Sequence, residues 1–269
     1  MKNENNYIIK GGEEGKKRLG LLSEILETYT RSFIKSVVNL KGKRFLDVGS
    51  GGGHVSLMAS DMVGQEGQVT AIDFDAEIIK LAAGDAKELG IENIIYRTLD
   101  AYALDYENEF DIVFARFLLS HLQNPEIVLN KMISSVKKGG AVIIEDIDFS
   151  GHFCYPHSDA FMDYVNYFSK ASQNNGQHPD IGKQLLSMLK DQNQLYDIRF
   201  DVIQPVFKSG DGKWMAYITM DKIKETLLQQ GLANQDDIEK TLSELKQFTE
   251  DKNSIISLPR IFRVSCLKS

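Results

Sequence analysis

The chain contains only two cysteines, Cys154 and Cys266, and they lie far apart in the sequence. Without a C-x-x-C spacing, neither a zinc site nor a disulfide framework is indicated, and a reducing compartment fits. No apolar run approaches the roughly 18 residues of a membrane span, and residues 1–6 are too polar for a secretory signal. We therefore expect a cytoplasmic protein without a membrane span.

Basic clusters are missing as well. Thirty-eight Asp and Glu outnumber 31 Lys and Arg, so the formal net charge is -7. This charge repels phosphate backbones, and no basic stretch is interleaved with aromatic residues, which argues against a nucleic-acid partner. The chain also has no internal repeat or low-complexity tract, and its 269 residues with 42% hydrophobic content suffice for one large core.

A glycine-rich segment at residues 45–55 organises the chain. An apolar strand ends in glycines at alternate positions from Gly49, and apolar residues return at helical spacing from Val55. Glycines let the backbone adopt φ > 0 and let a ligand lie directly on the main chain. The dinucleotide pattern G-x-G-x-x-G would need a third glycine at position 54, where the chain has His54, so that interpretation is weakened.

Residues 47–53 carry the pattern D-x-G-x-G-x-G, which resembles motif I of the class I S-adenosylmethionine-dependent methyltransferases. In that family the loop passes the amino-acid and ribose parts of the cofactor, which carry no pyrophosphate. The resemblance thus implies S-adenosyl-L-methionine as the cofactor. It places five residues of the loop at the cofactor: Asp47, Gly49, Ser50, Gly51 and Gly53.

Acidic residues follow the next two predicted strands. Asp73, after the strand at 68–72, can accept both ribose hydroxyls of a nucleoside, while Asp75 can cap the next helix. The resemblance implies that Asp100, after the strand at 93–99, accepts a hydrogen bond from the adenine amine. The alternative, that Asp100 only stabilises a turn, stays open. Two neighbouring residues join them as cofactor-binding candidates: Phe74 and Ala101.

A fourth strand, with the pattern F-D-x-V at 110–113, precedes Arg116 and His121. This segment resembles motif IV of the ubiquinone/menaquinone-type methyltransferases. His121 is the candidate catalytic base because an unperturbed pKa near ~6.5 suits that role, and a buried, inert histidine is the equal alternative. Arg116 is a candidate for the cofactor carboxylate. Its alternative partners are Glu145 or Asp146.

Alternating strands and helices from 43 to 147 predict parallel βαβ units in a doubly wound α/β sheet. The resemblance extends this to a mostly parallel seven-stranded sheet whose last strand runs antiparallel to the sixth. The predicted division is an N-terminal flap and helix (1–40), a Rossmann-like core (41–150), a helical substrate-cap insert rich in aromatics (151–197) and C-terminal strands and helices (198–269). Residues 7–9 would form the flap, and Arg18 is expected on a solvated helix face.

The preferred function is methylation of a small-molecule acceptor at oxygen, carbon or nitrogen. No Asn-Pro-Pro-Tyr follows the fourth strand, which argues against adenine and glutamine amino-methyltransferases. No metal site is expected, although Glu145, Asp146 and Asp148 keep a magnesium-dependent enzyme open. The alternatives are an aminopropyl transferase, an NAD-dependent oxidoreductase and a non-catalytic S-adenosylmethionine-binding regulatory protein. Whether the protein forms a homodimer is left open by the sequence. His152 and His157, beside the aromatic insert, rank below His121 as candidate pocket residues.

Overall fold

The computed structural model describes the backbone of residues 12–269 and the side chains from Arg18 onward. The predicted flap at 7–9 lies outside the described residues. Within the described part, no helix has the length and hydropathy to cross a bilayer.

Helices and strands alternate in the first half of the chain, and helices dominate the second. The helices are α1 (Gly12–Val37), α2 (His54–Val63), α3 (Ala76–Glu88), α4 (Pro125–Ser135), α5 (Asp159–Asn174), α6 (Leu185–Lys190), α7 (Met215–Gln229) and α8 (Gln235–Glu250). The strands are β1 (Arg44–Val48), β2 (Gln68–Asp73), β3 (Ile94–Thr98), β4 (Phe110–Arg116), β5 (Val136–Asp148), β6 (Cys154–Tyr155), β7 (Leu195–Ile203), β8 (Val206–Phe207), β9 (Ile255–Ser257) and β10 (Arg260–Lys268).

Seven strands form the central sheet in the order β3-β2-β1-β4-β5-β10-β7. Strand β10 pairs antiparallel with both β5 and β7, and the other pairs are parallel. The predicted doubly wound, mostly parallel seven-stranded sheet is thus confirmed. The strand order reverses between β1 and β4, and ligands of such sheets bind in the crevice at that point, beyond the carboxyl ends of the strands.

The two faces of the sheet bury separate apolar clusters because side chains alternate along each strand. Phe45 of β1 packs with the C-terminal part of α1 and with α2. Leu46 and Val48 point to the opposite face, against α4 and α6. A third cluster joins α5, α7, α8 and the N-terminal half of α1 above the carboxyl ends of the strands. This third cluster covers the crevice, and we call it the cap.

Two local features of the fold differ from the sequence pattern. The pattern predicts that Gly139 and Gly140 close the helix that starts at Pro125, but α4 already ends at Ser135 and both glycines lie within β5. A Cβ at position 140 would lie 2.7 Å from the backbone oxygen of Asp111 on β4, so glycine permits this close strand approach. The chain also forms a second, three-stranded sheet in the order β6-β9-β8, whose strands of two or three residues are too short to leave a periodic signal.

Candidate cofactor and acceptor site

The loop after β1 bends sharply at its glycines. Gly49, Gly51 and Gly53 have φ of 73°, 50° and 78°, a region that other residues adopt only at a cost. The N–H groups of Gly49 and Ser50 both donate to the carbonyl of Ile72 at 2.9 Å, which ties the loop to β2. The loop therefore crosses the carboxyl ends of β1 and β2.

Asp47 lies beneath this loop and is only 2% exposed. Its carboxylate accepts a hydrogen bond from Ser56 Oγ at 2.6 Å, which fastens the first turn of α2 to the end of β1. Burial raises the pKa of Asp47 to about 6, against the opposing effects of Ser56 and Arg116. Asp47 lines the main cavity, as a cofactor-binding candidate should.

Asp73 and Asp75 divide two tasks at the end of β2. Asp73 accepts from the backbone N–H groups of Gly51 at 2.9 Å and Asp75 at 3.0 Å, and burial raises its pKa. Asp75 caps α3 by accepting from the N–H groups of Glu77 and Ile78, which confirms its predicted capping role. Both acids line the cavity.

The end of β3 forms the far wall of the same crevice. Asp100 accepts from the backbone N–H of Tyr102 at 2.9 Å, so it shapes a turn and also lines the cavity. Ala101 beside it and the half-exposed Phe74 line the cavity too. Gly53 does not line it. A Cβ there would lie 2.8 Å from the Tyr96 hydroxyl, so this glycine permits close packing at the start of α2.

Arg116, at the end of β4, reaches α1. Its guanidinium donates to Thr30 Oγ1 at 3.2 Å and to Ser23 Oγ at 2.5 Å. The alternative of a direct ion pair with Glu145 or Asp146 is not observed among the described side chains. Glu145 instead accepts from Thr30 Oγ1 at 2.6 Å, so Thr30 bridges the two buried charges. Helix α1 is thereby joined to the ends of β4 and β5.

The three acids at the end of β5 do not converge. Glu145 faces Thr30, while Asp146 accepts from the backbone N–H of Ser120 at 3.1 Å. Asp148 forms ion pairs with Lys183 at 3.2 Å and with Arg260 at 2.8 Å. No group of three His, Cys, Asp or Glu side chains in the described part of the chain is arranged to hold a metal ion.

The cavity continues from the glycine loop into the cap and has a volume of about 790 Å³. Its cap half is mainly aromatic and aliphatic, with Phe149 and Phe168 stacked at 3.8 Å between ring centroids. The polar groups here include Arg18, whose Nε donates to Thr219 Oγ1 at 3.2 Å. Arg18 is partly buried in the cavity wall, so the expectation of a solvated helix face is wrong.

His121 lines the cavity and lies on a short 3-10 helix at Leu119–His121. Burial, with a smaller effect from the positive charge of Arg18, lowers its pKa to about 4, so the imidazole is neutral at pH 7. His152 also lines the cavity. His157 does not: it is exposed and contacts Asp159 at 2.9 Å.

Two further polar residues, Thr219 and Gln177, line the cap half of the cavity. They were not predicted, because neither lies in a recognisable sequence motif.

The cofactor half fits a nucleoside joined to an amino acid. The buried Ser50 Oγ has no hydrogen-bond partner among the described residues, although it lies in the loop that faces the cavity. A Cβ added to Gly51 would meet only Leu19 Cδ1, at 3.3 Å, so the main chain is open to a ligand there. Asp73 and Asp100 supply acceptors for hydroxyl and amino groups at two strand ends. These features match S-adenosylmethionine.

Comparison with known proteins agrees with this geometry. A protein-family model described as a methyltransferase domain matches residues 39–230, and the chain belongs to that family. The predicted resemblance to the class I S-adenosylmethionine-dependent methyltransferases is confirmed, and with it the cofactor of that class.

Curated relatives match part of the chain. Ubiquinone biosynthesis O-methyltransferase of Klebsiella pneumoniae is 33% identical over 113 residues, which are 42% of this chain and 46% of that protein. Phosphatidylethanolamine N-methyltransferase of Cereibacter sphaeroides is 39% identical over 109 residues, or 40% of this chain and 52% of that protein. The chain thus spans about half the length of these relatives.

Solved structures share the fold over most of the chain. The YcgJ protein of Bacillus subtilis has a TM-score of 0.60 at 17% identity and covers 90% of this chain and 98% of that one. A methyltransferase described as putative, from Bacillus halodurans, has a TM-score of 0.58 at 22% identity and covers 88% and 98%. At these identities the similarity demonstrates the fold alone.

Proposed function

We propose that the protein transfers a methyl group from S-adenosylmethionine to a small, partly apolar acceptor at oxygen, carbon or nitrogen. The observation that carries this proposal is a single cavity that joins the glycine loop to the aromatic wall of the cap. The names of the O- and N-methyltransferase relatives support a small-molecule acceptor. The acceptor would lie in the cap half, with its reactive atom near His121.

The cofactor residues act by positioning. Asp73 would bind the ribose hydroxyls, Asp100 and Ala101 the adenine, and Arg116 with the loop the amino-acid end. Bound S-adenosylmethionine supplies an activated methyl group, so alignment of donor and acceptor is the main task left to the protein. Such alignment can lower a barrier by about 7–11 kcal/mol.

His121 is proposed as the group that takes the acceptor's proton. Its imidazole is neutral at pH 7, because its pKa lies near 4, and a neutral ring nitrogen can accept a hydrogen bond. A base this weak suffices for a hydroxyl acceptor when the proton moves late, since a hydroxyl oxygen that gains a methyl group becomes a protonated ether, which is a strong acid. The opposing interpretation, a buried and inert histidine, predicts no effect of its removal on turnover.

Methyl transfer from isotopically labelled S-adenosylmethionine to a panel of phenols, carboxylic acids and amines tests the proposal. Labelled product from at least one acceptor, with equimolar S-adenosylhomocysteine, supports it. Cofactor binding without transfer to any member of the panel would support the non-catalytic, regulatory alternative instead. Turnover of decarboxylated cofactor with an amine acceptor would favour the aminopropyl transferase.

We further propose a cytoplasmic enzyme that acts on small molecules rather than nucleic acid. The two free cysteines and the net charge of -7 support this. A homodimer remains an expectation, and light scattering of the purified protein tests it directly.

A further inference from the structure

His152 is a buried polar side chain in an aromatic wall. It follows the short 3-10 helix at Phe149–Gly151 and is 9% exposed. Its ring centroid lies 4.3 Å from that of Phe149, 5.9 Å from that of Phe161 and 5.8 Å from that of Tyr164. The ring borders the cap half of the cavity.

The hydrogen bond of His152 determines which ring nitrogen carries the proton. Nδ1 lies 2.8 Å from the carbonyl oxygen of Phe149. A carbonyl oxygen only accepts, so Nδ1 must donate and Nε2 keeps its lone pair. No group in the described part of the chain donates to Nε2. The imidazole therefore offers a hydrogen-bond acceptor that no described residue uses.

The charge state of this ring supports the same assignment. Burial lowers the pKa of His152 to about 4, against the opposing effects of the Phe149 carbonyl and of the Asp148 carboxylate. The ring is therefore neutral at pH 7, and Nε2 acts as an acceptor rather than a donor.

Neighbouring polar groups on this wall are engaged with one another. The Tyr164 hydroxyl interacts with Thr219, and Thr219 Oγ1 accepts from Arg18. An acceptor molecule would therefore meet an apolar wall of Phe149, Phe168 and Tyr164, in which His152 Nε2 is a fixed hydrogen-bond acceptor. Buried polar groups cost free energy unless they are hydrogen-bonded. A ligand that donates a hydrogen bond to Nε2 should therefore bind more tightly than one of the same shape that cannot.

We propose that His152 Nε2 accepts a hydrogen bond from a hydroxyl group of the acceptor, and that the acceptor is a flat, apolar hydroxyl compound. This inference rests on the proposed function, because it assigns the cap half of the cavity to the methyl acceptor. It makes His152 a specificity-determining residue that distinguishes a free hydroxyl group from its methylated or deoxygenated analogue.

Two probes of similar shape test the assignment: 2-naphthol, which carries the donor, and 2-methoxynaphthalene, which does not. Calorimetric titration of the full chain loaded with S-adenosylhomocysteine should show that 2-naphthol binds roughly five- to tenfold more tightly, the effect of one hydrogen bond. Equal affinities for the two probes, or no binding of 2-naphthol, would overturn the proposal, and this comparison needs no variant.

Variants of His152 locate the effect. In His152→Asn the amide can replace Nδ1–H toward Phe149, but nothing replaces Nε2, so the preference should fall to about one. In His152→Gln an amide oxygen can reach the position of Nε2 and should restore part of the preference. His157→Asn makes the same change at an exposed histidine outside the cavity and should leave the preference unchanged.

An unchanged preference in His152→Asn, in protein that still binds S-adenosylhomocysteine, would contradict the role of this residue. The cofactor titration also separates the two proposals. Failure of the wild-type protein to bind S-adenosylhomocysteine counts against the proposed function. Normal cofactor binding without a preference between the probes counts against the present inference alone.

Discussion

The carboxylate of Asp73 accepts a hydrogen bond from the backbone N–H of Gly51, with a distance of 2.9 Å between nitrogen and oxygen. This contact joins the acid at the end of β2 to the middle of the loop after β1. The residue proposed to bind the ribose therefore also holds the loop that faces the rest of the cofactor. A substitution of Asp73 should therefore affect both the contact with the ribose and the conformation of the loop.

Replacing Asp73 with asparagine should weaken cofactor binding roughly 10- to 100-fold, because hydrogen bonds to a charged group contribute more than those to a neutral one. An amide oxygen can still accept from Gly51, so the fold should survive. Titration with S-adenosylhomocysteine measures the change. Asp75→Asn is the matched control, since asparagine also caps helices, and its affinity should stay near that of wild type. Equal losses in both variants would point to general damage.

Gly51→Ala should lower both stability and cofactor affinity. Alanine at a φ of 50° costs about 1–2 kcal/mol, and the new methyl group occupies the open face of the loop. Gly42→Ala shares the conformational cost, with a φ of 70°, but meets no atom within 4 Å. Denaturant unfolding should show similar losses for the two variants, whereas only the variant at position 51 should lose affinity for S-adenosylhomocysteine. Unchanged affinity at position 51 would remove the loop from the cofactor site.

Thr30→Val should destabilise the protein by about 1–3 kcal/mol, because it leaves buried Glu145 and Arg116 without the hydroxyl that bridges them. Cofactor affinity should fall as well, since Arg116 loses its orientation. Thr249→Val provides the comparison. The buried Thr249 hydroxyl has no hydrogen-bond partner within the described chain, so its loss should change the unfolding free energy little. Similar denaturation midpoints for both variants would contradict the bridging role.

His121→Phe should lower kcat by about 10² to 10⁴-fold, the usual contribution of an acid–base group, while leaving the affinity for S-adenosylhomocysteine nearly unchanged. His157→Phe, at an exposed position outside the cavity, should keep full activity. Steady-state kinetics with an acceptor found in the panel gives the comparison. Full turnover without His121 would establish that this histidine is structural.

The pH dependence should report the environment of His121. Because its folded pKa is about 4, kcat/KM should be level near neutral pH and fall only as the pH drops through about 4. Arg18 contributes to that low value, so Arg18→Gln should move the acidic limb to higher pH. Arg97→Gln makes the same change on an exposed residue outside the cavity and should leave the profile in place. A limb that stays fixed in Arg18→Gln would argue that another group controls it.

Much of the fold could be predicted from sequence because its signals are local. Each parallel strand contains a short apolar run, and the ends of β1, β2, β3 and β5 carry a glycine or an acid within two residues. The capping role of Asp75 could likewise be read from its position before α3. Since parallel strands end at one edge, the linear order of these residues was enough to bring Asp47, Asp73 and Asp100 together.

The cap half of the site could not be predicted in the same way. Arg18 reaches the cavity because Thr219, 201 positions away, lies on the helix that packs above it. No local pattern marks that contact, and helical periodicity alone placed Arg18 in solvent. His152 is set by the carbonyl of Phe149 and by three surrounding rings, an environment that exists only after α5 has folded over the crevice.

The proposed roles of Asp73, Asp100 and Arg116 all require that S-adenosylmethionine binds at the glycine loop. Parallel calorimetric titrations with S-adenosylmethionine, S-adenosylhomocysteine, decarboxylated S-adenosylmethionine and NAD measure this binding. We expect micromolar binding of the first two and weak or absent binding of the others. Preferential binding of NAD, or binding of none of the four, would contradict it.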